Sequence, residues 1–250
     1  MIELEICCGD PSSVVAAKAV GASRVELCAG LAEGGVTPSA GLVLAAAGEG
    51  IEAINVLIRP RPGDFLYNEA EVAAMERDVR SAIASGATGV VIGALTPDGL
   101  VDKRVCSRLI EVARAERGDV GVTFHRAFDL ARDPMEALEE VIGLGCDCLL
   151  TSGMAPSAEQ GIDLLRSLVE AASGRLKIMA GGGVNPANAR EILSRSGVGA
   201  LHSTARSTVE SAMRYRREGV PMGLPGADEY SMRLTSAAVV AELRAIVSTF

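Results

Sequence analysis

Two tripeptides, "EIC" at Glu5–Cys7 and "ELC" at Glu26–Cys28, each place a carboxylate two residues ahead of a thiol. Residues two apart in a strand share a face, so each Glu and its Cys point the same way. Neighbouring carboxylates split their pKa values, which suits general acid/base work. Paired thiols suit a soft ion such as Cu(I), or Zn; a buried Cys also serves simply as a small apolar residue. A third stretch, "VTFHRAFD" from Val122 to Asp129, follows apolar residues with His125, Arg126 and Asp129. Such groups are costly to desolvate, so their position at the end of a core strand marks either a ligand site or a salt-bridged rim.

Two further segments bear on charge. In "INVLIRPRPGDFLY" Arg59 and Arg61 flank a proline, and Asp64 is placed to anchor an Arg in a bidentate pair. In "IMAGGGVNP" the run Gly181, Gly182, Gly183 lets the backbone approach a ligand, and Asn185–Pro186 reads as a helix start whose N-terminus favours anions. "ALHSTARS" sets His202, Ser203 and Arg206 beside it. Together these six residues form a candidate anion site; the alternative is three glycines serving only a tight turn.

The elements that must position these groups alternate along the chain. Short β-branched runs fall at 2–7, 24–28, 53–59, 89–93, 120–125, 147–151, 176–180 and 199–203. Helical patterns fall at about 11–20, 38–48, 68–85, 102–116, 133–144, 156–173, 186–195 and 234–248. Capping residues before proline at Asp10–Pro11, Thr37–Pro38, Asp133–Pro134 and Asn185–Pro186 read as helix starts. Glycine before the next strand, as in "VGASRVEL", "SGATGVVI", "LGCDCLL" and "SGVGALH", reads as a left-handed helix end. Eight strand–helix units without a linker predict an α/β fold, a single-domain (β/α)8 TIM barrel. No GxGxxG follows the first strand, which weakens an open dinucleotide-binding sheet.

Alternation then sorts the faces. Ile2, Leu4, Ile6 and Cys8 should face the helices, and Glu3, Glu5 and Cys7 the barrel interior. The same reading turns Arg24, Glu26, Cys28, Asn55, Leu57, Arg59, Thr123 and His125 inward. Glu5, Cys7, Glu26, Cys28, Arg59 and His125 thus gather at the strands' carboxyl ends, where this fold keeps its active sites. Neutralisation of Glu5, Glu26, Arg24 and Arg59 within a polar barrel layer is the competing explanation. Cys146 and Cys148 lie at the opposite end and read as structural. Roughly thirty residues between Ser203 and Leu234 are too many for a turn and form an insertion before the last helix, a rim lid or an oligomer contact. Its Met213, together with Met222 and Met232, reads as packing rather than as thioether ligands.

A net charge of −8 and a pI near 5.0 argue against nucleic-acid binding and a basic membrane surface. Aromatics are 3% of the chain and Trp is absent, so the core must be built from aliphatic residues. No apolar stretch reaches the roughly 18 residues of a spanning helix. "MIELEICCGD" does not read as a secretory leader. Six cysteines are too sparse for a disulfide scaffold, so the expected compartment is the cytoplasm, with thiols reduced.

The motifs "ELCAGLAEGGVTPS", "IRPRPGDFLY", "TFHRAFD", "LTSG", "MAGGGV", "ARS", "MRYRR" and "DEYS" resemble the CutC family, named for copper homeostasis, along nearly the whole chain. The chain departs from the family's "RPRGGDF" at Pro62. The resemblance implies a cytosolic TIM barrel, a homodimer or higher homo-oligomer, with copper held by rim cysteines; residue by residue this points to Cys7 and Cys28. Two functions therefore stand side by side. One is a copper-handling protein holding Cu(I) on those thiols. The other is an enzyme acting on a small phosphorylated or carboxylated metabolite. In it Glu5, Glu26 or His125 would exchange a proton beside Asp129, Arg59 would neutralise charge, and Gly181–Gly183 would hold the anion.

Overall fold

Eight β-branched runs form parallel strands that close on themselves: β1 (Glu3–Cys8), β2 (Arg24–Leu27), β3 (Ala53–Leu57), β4 (Gly89–Ile92), β5 (Gly121–Phe124), β6 (Cys148–Thr151), β7 (Lys177–Ala180) and β8 (Ala200–Ser203). They are ordered β1 to β8 around the ring, and β8 pairs with β1 to close it. The (β/α)8 barrel expected from the alternation is the fold. The computed structural model describes residues 2–250 apart from 218, 221, 224, 225 and 227. Helices α1 (Pro11–Ala19), α2 (Ala40–Gly48), α3 (Glu69–Ala84), α4 (Lys103–Glu116), α5 (Pro134–Gly143), α6 (Ile162–Ala172), α7 (Ala189–Ser196) and α8 (Ala237–Val247) form the outer layer. Among the described residues no helix is long and apolar enough to cross a membrane.

The helix ends follow local chemistry. Asp10 accepts from the Ser13 N–H and Asp133 from those of Met135 and Glu136, each with proline at the first helical position. Gly21, Gly86, Gly145 and Gly197 all have positive φ, as expected of left-handed caps. Four expected starts differ; that of α8 moves from about 234 to Ala237 because Ser231–Thr235 pair as a strand. α2 opens at Ala40 under a Ser39 cap, since the Thr37 hydroxyl instead accepts from the Arg59 N–H at 2.9 Å. α7 opens at Ala189 rather than Pro186, since Asn185 and Asn188 close a turn on each other first. α6 opens at Ile162, since the segment before it first closes local turns, the Met154 N–H donating to Asp129 and the Gly161 N–H to the Ser157 carbonyl.

The two strand faces separate as alternation requires. Ile6, Cys8, Val25, Val122 and Phe124 join the large aliphatic core between barrel and helices. Inside the barrel lie two small apolar clusters, Cys7–Cys28–Leu57–Val91 and Cys148–Leu150–Met179–Ala200. Near them lie the polar inward residues Glu5, Arg24, Asn55 and Thr123. Register places Glu5 beside both Arg24 and His202, and Glu26 one step nearer the mouth, beside Cys7 and Asn55.

The insertion folds as an antiparallel pair, β9 (Arg206–Glu210) and β10 (Ser231–Thr235). The expectation that its methionines pack is wrong for the described residues: Met213, Met222 and Met232 are all exposed, Met222 at 81%. The arm is tied to α1 through the Thr235 N–H, which donates to Ser13 Oγ, but these apolar side chains lie exposed rather than in the core.

Asp129 ties the mouth together. Its carboxylate accepts from Thr151 Oγ1 at 2.5 Å, from the Ser152 and Met154 N–H groups at 3.1 Å, and from Arg126 Nε at 2.6 Å. Removing a buried acceptor of several donors strands all of them. Asp129→Ala should therefore lower the unfolding free energy by about 2–4 kcal/mol in a denaturant titration. An unchanged midpoint would show that this clamp contributes nothing.

Candidate functional site

At the carboxyl ends of β1, β2 and β8 four reactive side chains meet. Cys7 Sγ lies 3.4 Å from Cys28 Sγ, and Cys28 Sγ lies 3.4 Å from Glu26 Oε2. One ligand atom from each of Cys7, Glu26 and His202 lies within 4.8 Å of the others, a spacing that could hold a metal ion. His202 spans two carboxylates: Nδ1 lies 2.8 Å from Glu5 Oε1, and Nε2 lies 3.6 Å from Glu26 Oε2. A carboxylate accepts, so Nδ1 carries the donated proton and Nε2 turns to the thiols.

Beneath this group, Glu5 is buried completely. Arg24 Nε donates to Glu5 Oε2 at 2.7 Å and Asn55 Nδ2 to the same oxygen at 3.0 Å. Burial opposes the charge on Glu5, but the bonds from His202 and Arg24 outweigh it and hold the pKa below the ordinary carboxylate range. Nearer the mouth, the hydrogen bond from Cys28 brings the Cys7 thiol down to about 5, against burial and with help from His202. The same bond, with burial, pushes Cys28 well up. Burial, and then the Cys7 charge, raise Glu26 far above its usual value. Burial also disfavours charge on His202, yet Glu26, Cys7 and Glu5 raise its pKa well above ordinary. Together these shifts favour charge on Cys7 and on His202, keep the proton on Cys28, and oppose charge on Glu26.

Above the group opens a cavity of about 220 Å³. Cys7, Glu26, Cys28 and His202 form one part of its lining; His125, Arg59 and Phe65 form a second; Gly182, Gly183, Val184 and Arg206 form a third. His125 Nδ1 accepts from the Ala127 N–H at 3.1 Å, while Nε2 is buried with no partner among the described residues. Burial, assisted by Arg59, depresses the His125 pKa to about 3, so the ring is neutral and Nε2 carries a proton to donate. Gly93 makes room for it: a Cβ there would fall 2.5 Å from the imidazole.

The structure brings most expected site residues to one mouth but redistributes their roles. Glu5, Asp129 and Gly181 do not line the cavity. Glu5 is saturated below the floor and Asp129 in the rim clamp, so neither carboxylate faces a ligand. The Gly181 N–H is taken by the Thr151 carbonyl. Arg59 does not neutralise the acidic pair; its guanidinium holds the Gly35 and Gly63 carbonyls and lies over Phe65. Ser203 is spent locally, donating to the Val184 carbonyl and accepting from the Ala205 N–H. His202, grouped from its neighbours with the anion residues, belongs with the thiols and carboxylates. The alternation that oriented β1 and β2 also turns His202 inward on β8. Phe65, which stacks on His125 with ring centroids 4.9 Å apart, had no signal beyond its place in "GDFLY".

Comparison with known proteins agrees with this fold. The profile of the CutC family matches residues 2–207. A protein of Chromobacterium violaceum named family protein CutC is 51% identical over 241 residues, 96% of each chain. The human protein named copper homeostasis protein cutC homolog is 44% identical, over 97% of this chain and 88% of its own. The crystal structure of a CutC protein from Streptococcus agalactiae superposes with a TM-score of 0.76 at 32% identity, covering 82% of this chain and 99% of that one.

The neutral His125 has a measurable consequence. In the unfolded chain it takes a proton near pH 6.5, whereas in the fold it stays neutral down to about 3. Its contribution is therefore present above pH 6.5 and is lost as pH falls toward 3. The stability gap between wild type and His125→Asn, whose side-chain oxygen can still accept from Ala127, should narrow by about 2 kcal/mol between pH 7.5 and pH 5. A gap independent of pH would show that the fold does not depress the His125 pKa.

Proposed function

The chain belongs to the CutC family, and we propose that it binds Cu(I) through Cys7 and Cys28, with His202 beside them, as part of copper homeostasis in the reducing cytosol. One observation carries this reading: two thiols 3.4 Å apart, one of them with its pKa drawn down to about 5, next to an imidazole whose Nδ1 is engaged by Glu5.

The donor chemistry fits. Thiolate is a soft ligand and favours Cu(I) over hard cations. Two metal–sulfur bonds of about 2.3 Å at a tetrahedral angle separate their sulfurs by about 3.8 Å, so the present pair needs to open by only a few tenths of an ångström. A histidine whose other nitrogen is held by a carboxylate is oriented for a metal, and Glu5 gives His202 that partner. All six cysteines are free, in keeping with a reducing compartment.

Glu26 has a separate task. Ligand thiols must lose their protons on binding, and Cys28 is held protonated with Glu26 Oε2 at 3.4 Å. Once deprotonated, Glu26 is the base placed to take that proton and pass it to the cavity it lines.

Anaerobic titration against a competing chromogenic Cu(I) chelator tests the assignment. Cys7→Ser and Cys28→Ser should each lower affinity by at least about 100-fold. Glu26→Gln should leave affinity within about ten-fold but slow the uptake of copper. Copper binding to the double cysteine variant as tight as to wild type would end the proposal.

A further inference from the structure

The copper reading uses one part of the cavity and leaves the other unexplained. On that other side stand two guanidiniums, Arg59 and Arg206, and neither has a carboxylate within ion-pair distance among the described residues. Arg59 Nε and Arg206 Nε are both buried without a hydrogen-bond partner, and so is His125 Nε2. Arg59 is 6% exposed and His125 4%, so water does not readily satisfy these donors.

The glycine run adds backbone donors. The N–H groups of Gly182, Gly183 and Val184 find no acceptor among the described residues, while the Gly182, Gly183 and Val184 carbonyls are all engaged. Gly182 and Gly183 sit at φ +100° and +77°, a region that disfavours side chains, and a Cβ on Gly182 would lie 3.4 Å from the Arg126 guanidinium. Successive free amides opposite an unpaired guanidinium make a concave anion receptor. This does not draw on the α7 N-terminus, which begins only at Ala189.

We propose that this cavity binds a small phosphomonoester, its phosphate held by the Gly182, Gly183 and Val184 amides and by the Arg206 guanidinium. A phosphate's three acceptor oxygens and its near-double charge match three amides and a forked guanidinium better than the two oxygens and single charge of a carboxylate. The cavity volume of about 220 Å³ lies below the roughly 300 Å³ at which drug-sized ligand sites begin, so the occupant is small. Its organic part extends toward His125, which donates from Nε2, and toward the Glu26–Cys7–His202 floor. The side away from the thiols is therefore a ligand site in its own right, and it does not require copper.

Calorimetric titration of the metal-free protein, kept so by a chelator, tests this independently of copper. Glycerol 3-phosphate should bind, inorganic phosphate should bind more weakly and compete with it, and glycerol should not bind. Arg206→Gln should weaken glycerol 3-phosphate by at least about ten-fold, the worth of one charge-assisted contact. Arg206→Lys should lose less, since charge remains while the fork is gone. Arg206 lies on β9, outside the barrel, and the unfolding midpoint of each variant reports that the fold is kept. Glycerate binding more tightly than glycerol 3-phosphate, inorganic phosphate binding more tightly than the ester, or undiminished affinity in both Arg206 variants would overturn the proposal. So would the absence of any heat with glycerol 3-phosphate at millimolar concentration.

Discussion

A single ionised carboxylate at the centre of the barrel, Glu5, constrains the rest of the site. A charge buried to zero exposure costs several kcal/mol unless it is paired and its remaining lone pairs are filled. Arg24, Asn55 and His202 fill them from three different strands. In doing so they fix the orientation of His202 and keep the Arg24 charge below the mouth. The arrangement also dictates a residue elsewhere. A Cβ on Gly89 would lie 2.1 Å from Asn55 Oδ1, so β4 must open on glycine for Asn55 to reach Glu5.

Above that carboxylate the mouth divides by charge. Thiols, Glu26 and His202 occupy the floor along β1, β2 and β8, while unpaired guanidiniums and free amides occupy the far wall and rim. Phe65 lies between Arg59 and His125, against the imidazole on one side and with the guanidinium 4.8 Å from its centroid. It shields His125 from water and thereby keeps the ring neutral. The two sets of groups meet in one cavity without cancelling. Arg59 is held by the backbone carbonyls of the loops after β2 and β3, and is therefore not free to swing onto Glu26.

Much of this was legible along the chain. Period-two alternation assigned the inward set on β1, β2, β3 and β5, because a buried strand offers only two faces and one must meet the helices. Asp–Pro pairs marked the starts of α1 and α5, and glycines marked the helix ends, since each satisfies an orphan group locally. The errors fall where a side chain is claimed from a distance. Thr37 looks like a cap but is taken by the Arg59 backbone, and Asp129, grouped with the catalytic residues, is saturated by the loop after β6. The methionines of the arm read as packing residues and are exposed.

Local spacing by itself determined the repeating strand–helix order, the inward direction of Glu5, Cys7, Glu26, Cys28 and His125, and the glycine run near the last strands. These properties depend on residues a few positions apart, where backbone geometry leaves few choices. Barrel closure decided the rest. Only the pairing of β8 with β1 brings His202, 197 positions away, to Glu5, and only the strand stagger seats Glu26 beside Cys7 and a step above Glu5. Whether a carboxylate becomes a buried anchor, a proton acceptor or a rim clamp is set by the donors that tertiary contact delivers to it, and those donors come from strands and loops remote in the chain.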